Sequence, residues 1–438
     1  MQTESAIITV EQVLKKVAWR LLPFMFVLYI VSYLDRINIS YAGLQMNTDL
    51  GFDEVIFGRG AGIFFLGYFL FGIPSNLIMQ KLGARKWISG IMVVWGVLSV
   101  SLAFVKSPEA FYRMRFLLGV AEAGFFPGMI LYLTYWFPRR EHGMAVARFM
   151  TAIPAAGILG GLIASAVLSM QGLYGLASWK WLFIITGTPA IFLGVLVFLF
   201  LVNGPEDAPW LNEREKELLI ERLHQDRPSD STARQKGALL PALLNVRVWV
   251  LGGLYFLMSF AMYGFQLWLP QIIKAITGGD NGPTALISAI PPIFQALGMV
   301  LVARHSDNTG ERRKHLALSA AIAAAGLAAA AALLQQPVMA VAALCVAAFG
   351  IWGTVGPFWA IPTGYLSPVV AVVGIGLINS CGALGGFAGP DIVGEVTHLT
   401  HNFTSSLLVM AGSLVCAGIV VMVLRFHPSA SSESHSGH

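Results

Sequence analysis

Apolar runs of about 20 residues recur from one end of the chain to the other, separated by short polar breaks. As a helix, each run is long enough to cross a hydrocarbon layer about 30 Å thick. The pattern predicts twelve helical spans, at 19–42, 56–80, 87–105, 109–136, 143–170, 179–202, 247–274, 284–303, 315–335, 338–366, 370–393 and 402–425. Several contain proline (Pro23, Pro74, Pro127, Pro154, Pro189, Pro270, Pro362), which membrane helices tolerate and use as bends. An even number of spans returns both ends of the chain to one side.

One stretch breaks the rhythm. Residues 203–246 are polar, carry both charge signs and include a short amphipathic helix expected from Asn212 to His224. They divide six spans from six. The organisation expected is an N-terminal arm (1–18), a six-helix bundle (19–202), a linker (203–246), a second six-helix bundle (247–425) and a tail (426–438). The halves also repeat. QKLGARK (Gln80–Lys86) follows span two and SDNTGERRK (Ser306–Lys314) follows span eight. GILGG (Gly157–Gly161) in span five and GALGG (Gly382–Gly386) in span eleven stand at nearly the same offset. The fold class expected is an all-α membrane protein, two pseudo-symmetric six-helix bundles with a binding site near mid-membrane between them.

Composition agrees. The 438 residues are 56% hydrophobic and only 12% charged, where a soluble domain has about 25%. A soluble protein with a single anchor is excluded. The net charge of +5 matters less than where it lies. Arg59, Lys106, Lys180 and Lys274 fall in loops of one side, and Arg36, Arg113 and Arg115 fall in or near spans. The rest of the 28 lysines and arginines lie on the opposite side, which the positive-inside rule makes cytoplasmic. The basic balance is therefore topological and implies no nucleic-acid partner. Cys345, Cys381 and Cys416 are single residues in apolar segments without metal-ligand spacing, read as small core residues. His398 and His401 are expected on a solvated outer loop. The first residues include Glu4 and Glu11 and lack a small-residue cleavage site, so the first span serves as its own insertion signal. No metal or cofactor is implied, and the spans offer no nucleophile–base pair for an enzyme.

Charged residues inside the spans are the candidate chemistry. In Phe111–Gly128 (FYRMRFLLGVAEAGFFPG), Arg115 and Glu122 leave one helix face about two turns, roughly 10 Å, apart. A charge at bilayer depth costs about 3 kcal/mol on insertion scales unless it faces a bundle interior or a wet cavity. The pair thus implies an internal polar cavity, serving either as a structural ion pair or as a path for an anion and a proton. Arg113, on another face, reads as an interfacial anchor. In the repeated loops, Gly83 and Gly310 suit tight turns, and Arg85 and Arg312 sit where helix dipoles favour cations. Asp307 would take charge-assisted bonds from a nearby arginine, so these five are candidates for gating, with topogenic charge alone as the plainer alternative.

Several of these segments resemble a known family. The charged loop after span two, its copy after span eight and twelve spans split by a linker are similar to the major facilitator superfamily. YLDRINISYA (Tyr33–Ala42), FGIPSNLI (Phe71–Ile78), LGARKW (Leu82–Trp87), RFLLGVAEAGFFPGMILYLTYWFP (Arg115–Pro138) and INSCGALGGFAGP (Ile378–Pro390) resemble its anion:cation symporter family. Within it the likeness is to bacterial carboxylate transporters for sugar acids (rhamnonate, galactonate), tartrate, phthalate and hydroxyphenylacetate. Two departures stand out: Gln80 replaces the usual aspartate of the first loop, and Ser367–Val372 lacks the usual basic residues. The resemblance implies Asp35 and Glu122 as proton-carrying and Arg36 and Arg115 as anion-facing.

By residue count, Asp35, Arg36 and Arg115 are expected roughly 10 Å deep, with Glu122 about 10 Å deeper. Two arginines offer forked donors to a carboxylate, and two carboxylates in a low-dielectric cavity have reason to hold protons. Tyr33 and Tyr68 would donate hydrogen bonds to substrate hydroxyls, or else pack. Asn379 and Trp359 are the second-half candidates, with helix–helix bonding and aromatic packing as their alternatives. The function expected is import of an organic carboxylate, above all a sugar acid, with protons by alternating access, in a monomer of the bacterial inner membrane with both termini cytoplasmic. Transport of an aromatic carboxylate or tartrate, anion exchange and a non-transporting sensor are the rivals.

Overall fold

The computed structural model describes residues 9–170, 172–226 and 240–424. The tail expected at 426–438 and parts of the arm and linker lie outside the described residues. Helices account for nearly everything else. The first half contains α1 (Val10–Leu50), α2 (Glu54–Leu82), α3 (Ala84–Leu102), α4 (Pro108–Glu122), α5 (Phe125–Leu133), α6 (Arg139–Met150), α7 (Ala152–Leu168) and α8 (Ser178–Phe200). After the linker helix α9 (Glu213–Gln225) come α10 (Val246–Thr277), α11 (Asn281–Ile287), α12 (Pro291–Thr309), α13 (Arg313–Ala332), α14 (Pro337–Gly353), α15 (Val355–Tyr365), α16 (Pro368–Thr400) and α17 (Thr404–Val423). Among the described residues eleven helical stretches are long and apolar enough to cross a membrane. The 33-residue α16 takes the twelfth place, giving six spans in each half.

Four spans expected as single helices are broken in two, and proline explains each break. A proline has no N–H to give the carbonyl four residues earlier. Pro127 frees Ala123, Pro154 frees Met150, Pro291 frees Ile287 and Pro357 frees Gly353, and the helices part at those positions. Pro23, Pro74, Pro189 and Pro270 lie within helices that continue through them.

The first helix is the main departure from expectation. It spans 41 residues rather than ending near Ala42, because the polar stretch Leu44–Leu50 holds neither glycine nor proline. The helix stops at Gly51, whose left-handed φ of 67° lets its N–H cap the carbonyl of Asn47.

The two halves meet on the face away from the termini. There α2 packs along α16, α7 along α11 and α12, and α1 along α10. The α2–α16 seam is backbone against backbone. A Cβ added at Gly58, Gly62 or Gly394 would come within 2.5 Å, 2.5 Å and 2.4 Å of the carbonyl oxygens of Pro390, Phe387 and Glu54. Only glycine permits that approach. Toward the terminal face α5 and α15 share no extensive packing among the described residues, so the extensive contacts between the halves lie on the far face.

Candidate functional site

The long first helix carries Arg36 about 14 residues, or about 21 Å, below its far-face end. Glu122 lies equally deep, at the last turn of α4 just before the break that Pro127 imposes. The two therefore meet at one level: Arg36 Nη2 donates to Glu122 Oε1 at 3.0 Å. Ser32, one turn before Arg36, donates to the same oxygen at 2.6 Å. The Arg36 guanidinium also lies 5.9, 5.4 and 5.3 Å from the ring centres of Tyr33, Phe64 and Tyr68. Arg36 Nε and Glu122 Oε2 are buried without a hydrogen-bond partner among the described residues. The pair is thus half satisfied, with one donor and one acceptor left over.

Arg115 stands one layer nearer the far face, fully buried. Its Nε and Nη2 donate to the backbone carbonyls of Gly60 and Ala61, both at 3.2 Å, and its guanidinium lies 5.0 Å from the Phe64 ring. It binds α4 to α2 rather than facing open space. Asp35, on the opposite side of α1 from Tyr33, accepts from Asn38 Nδ2 at 3.0 Å and from the Ser99 hydroxyl. Asn38 donates on to Thr186 at 2.8 Å, so Asp35 anchors a polar cluster among spans one, three and six. The four charges sum to zero. The equal depth expected for Arg36 and Arg115 does not hold, because the added turns of α1 lower Arg36 to the level of Glu122.

On the second half, Gln266 of α10 accepts from the Tyr33 hydroxyl at 2.8 Å, and Tyr263 packs on Phe65 at 4.2 Å between ring centres. These contacts close the site from the far face. Tyr68 is partly buried beside Arg36. Trp359 on α15 packs edge-on against Tyr255 at 5.0 Å. Asn379 on α16 is exposed. Gln266 lies in YGFQLWLP (Tyr263–Pro270), where a carboxamide in an apolar helix was the available signal. Ser32 and Asn38 were signalled only by their spacing of one turn from Arg36 and Asp35.

The gating candidates divide differently. Gly83 (φ 82°) and Gly310 (φ 69°) both hold the positive φ that their turns require. Arg85 caps the end of span six, its Nε donating to the Phe198 carbonyl and its backbone N–H to Asn203 Oδ1 at 3.2 Å. Asp307 pairs with Arg312 in its own loop, and Arg312 also donates to Ser306 Oγ at 3.0 Å. These bonds stay inside one half. Among the described residues the ion pairs that join the halves are on the far face, where Arg59 of α2 meets Asp391 at 3.3 Å and Glu395 at 3.0 Å on α16. His398, expected to be solvated, lies 3.2 Å from Glu54 Oε2 across the same seam.

The family profile described as Major Facilitator Superfamily matches residues 25–390, most of the chain. The chain belongs to the Major Facilitator Superfamily. Within this superfamily it is 46% identical over 420 residues to a "Putative tartrate transporter" of Agrobacterium vitis, covering 96% of this chain and 93% of the relative. It is 38% identical over 429 residues to the "Inner membrane transport protein RhmT" of Escherichia coli (strain K12), covering 98% and 99%. Its fold matches the crystal structure of a D-xylose-proton symporter with a TM-score of 0.73 at 14% identity, covering 94% of this chain and 98% of the other. This superfamily member is accordingly a multi-pass membrane transporter and not an enzyme. The Arg36–Glu122 pair joins two helices of its first half, α1 and α4, and is buried.

Proposed function

We propose that this transporter imports a small hydroxylated carboxylate, of the sugar-acid or tartrate type, together with protons. The observation that carries the reading is the half-satisfied Arg36–Glu122 pair. A proton on Glu122 would remove its claim on Arg36, and a substrate carboxylate would take its place as a forked partner. Charge counting supports the same exchange. Asp35, Arg36, Arg115 and Glu122 are neutral as a set, so a buried carboxylate adds an uncompensated negative charge unless a proton accompanies it. A dicarboxylate would call for two, and Asp35 is the second candidate carrier.

In this reading Arg36 anchors the anion and Glu122 couples it to the proton. Arg115, though it faces no open space, sets the field that Asp35 and Glu122 feel and fixes α4, the helix that carries Glu122, against α2. Tyr33, Tyr68 and Gln266 offer donors and an acceptor to substrate hydroxyls, with Asn379 and Trp359 on the other wall. The loops at Gly83–Arg85 and Asp307–Arg312 would hold each half rigid as it moves. In this reading both termini and the linker are cytoplasmic in a bacterial inner membrane, which the positive-inside charge bias supports, and one chain is the working unit. The conformation described is then the inward-facing one.

Proteoliposome uptake tests the proposal. Accumulation of labelled tartrate or a sugar acid should follow an imposed acid-outside gradient. Glu122→Gln should keep exchange of internal for external substrate while losing gradient-driven accumulation. Arg36→Gln should lose both. Accumulation by Glu122→Gln at the wild-type level, or no response of the wild type to the proton gradient, would overturn the coupling.

A further inference from the structure

A groove of about 670 Å³ runs between the terminal-side halves of α1 and α6, away from the site. Its floor is apolar, with Leu22, Phe26 and Phe137, and its rim carries Lys15, Arg148 and Glu141. Which medium it faces follows from the helix pattern. On α6 and α7 the residues Met144, Arg148, Thr151, Leu159 and Leu162 recur at spacings that keep one face, and all are exposed. At Leu159 and Leu162 the halves are already closed upon each other, so exposure there is exposure to lipid. Gly157 and Gly161, on a different face of α7, meet Pro292 and Ala289 of the second half. The groove continues the lipid-facing stripe. On α1 its edge is Trp19, 73% exposed one turn from Lys15, where a membrane interface favours an indole.

The rim is unevenly satisfied. Among the described residues Lys15 and Arg148 form no ion pair, and Arg148 donates only to the Met144 sulfur, at 3.5 Å. Glu141 Oε2 is buried without a hydrogen-bond partner. Among the described lining residues two cations and one carboxylate leave a single positive charge above an apolar trough. We propose that this groove is a binding site for an anionic phospholipid with a hydroxylated headgroup. The phosphodiester sits between Lys15 and Arg148, the headgroup hydroxyls donate to Glu141, and an acyl chain lies along Leu22, Phe26 and Phe137. A net charge of minus one matches the rim, whereas a zwitterionic headgroup leaves it uncompensated. Basic pockets between spans near the cytoplasmic surface hold anionic headgroups in this way. The site needs no assumption about the transported substrate.

The test is thermal unfolding of the purified full chain in detergent with added phosphatidylglycerol, phosphatidylcholine or phosphatidylethanolamine of identical acyl chains. A fourth arm uses glycerol phosphate, the headgroup without chains. Each basic residue near an anionic headgroup is worth about fivefold in affinity. Phosphatidylglycerol should therefore half-saturate the stabilisation at a several-fold lower concentration than the other two, and high salt should remove the difference. The double variant Lys15→Gln, Arg148→Gln should lose the preference and keep the phosphatidylcholine response, while Glu141→Gln should sharpen the preference. Equal responses to all three lipids in the wild type would overturn the site without any variant being needed. So would a preference that survives the double variant, or full stabilisation by glycerol phosphate alone.

Discussion

Arg36 and Gln295 show how much a single side chain's setting decides. A guanidinium bonded to one carboxylate oxygen and facing three aromatic rings is held in place, yet retains a free donor. Arg36→Lys would keep the charge and lose the fork, so substrate affinity should fall by about 10- to 100-fold with the fold intact. Equilibrium binding checks this. Gln295 of α12 is 1% exposed beside Gly157, and neither of its polar atoms has a partner among the described residues. An unsatisfied buried carboxamide costs about 1–3 kcal/mol. Gln295→Met should therefore raise the melting temperature and slow transport, because it deepens the far-face-closed state; a melting curve and an uptake rate measure both. At this scale the sequence disclosed the residue types well and their partners poorly. Asp35, Arg36, Arg115 and Glu122 stand out as charges in apolar helices. That Arg36 rather than Arg115 would meet Glu122 depended on where α1 ends, which hydropathy does not reveal.

Helices respond to what holds their ends. Lys16 Nζ donates to both carboxylate oxygens of Glu215, at 2.9 and 2.7 Å, tying the start of α1 to the linker helix. Asn212 caps that helix, and Trp210 stacks on Trp136 at 5.4 Å. The hydrogen bonds from Lys16 hold the Glu215 carboxyl below the usual carboxylate range. Because the carboxyl is depressed in the folded state, the stabilisation is complete above the unfolded value of about 4.3 and is lost as pH falls below it. Lys16 is half exposed, so the effect is worth no more than about 1 kcal/mol. Glu215→Gln should speed amide exchange in α9 at neutral pH and make no difference near about pH 3. On the α2–α16 seam, Gly62→Val should prevent closure, and a cysteine placed between that seam and the Arg36–Glu122 pair should then react with an impermeant thiol reagent. The spans, their order and the linker helix were legible in the sequence. The four breaks were legible only as prolines, since Pro23 and Pro270 read alike and leave their helices whole.

The whole molecule is a pair of similar halves, and the repeats at Gly83 and Gly310 and at GILGG and GALGG announced it. Its conformation was not announced, because one sequence must serve both the open and the closed arrangement, and a stripe of small residues suits either. The far-face clamp indicates where the balance is set. Arg59 with Asp391 and Glu395, and His398 with Glu54, are partly exposed pairs, each worth less than about 1 kcal/mol. Arg59→Gln removes two of these pairs and should therefore shift the population toward the far-face-open form by less than about thirtyfold, read by distance measurements between labels on α2 and α16. Beneath the clamp lies the glycine seam, where backbone meets backbone with no side chain between. Such a joint behaves like a plain bearing. No rotamers must be found again when it closes, and little water must be stripped from polar tips. The cycle should then run with a small entropic barrier at this joint, leaving the pace of turnover to the charges in the middle of the membrane.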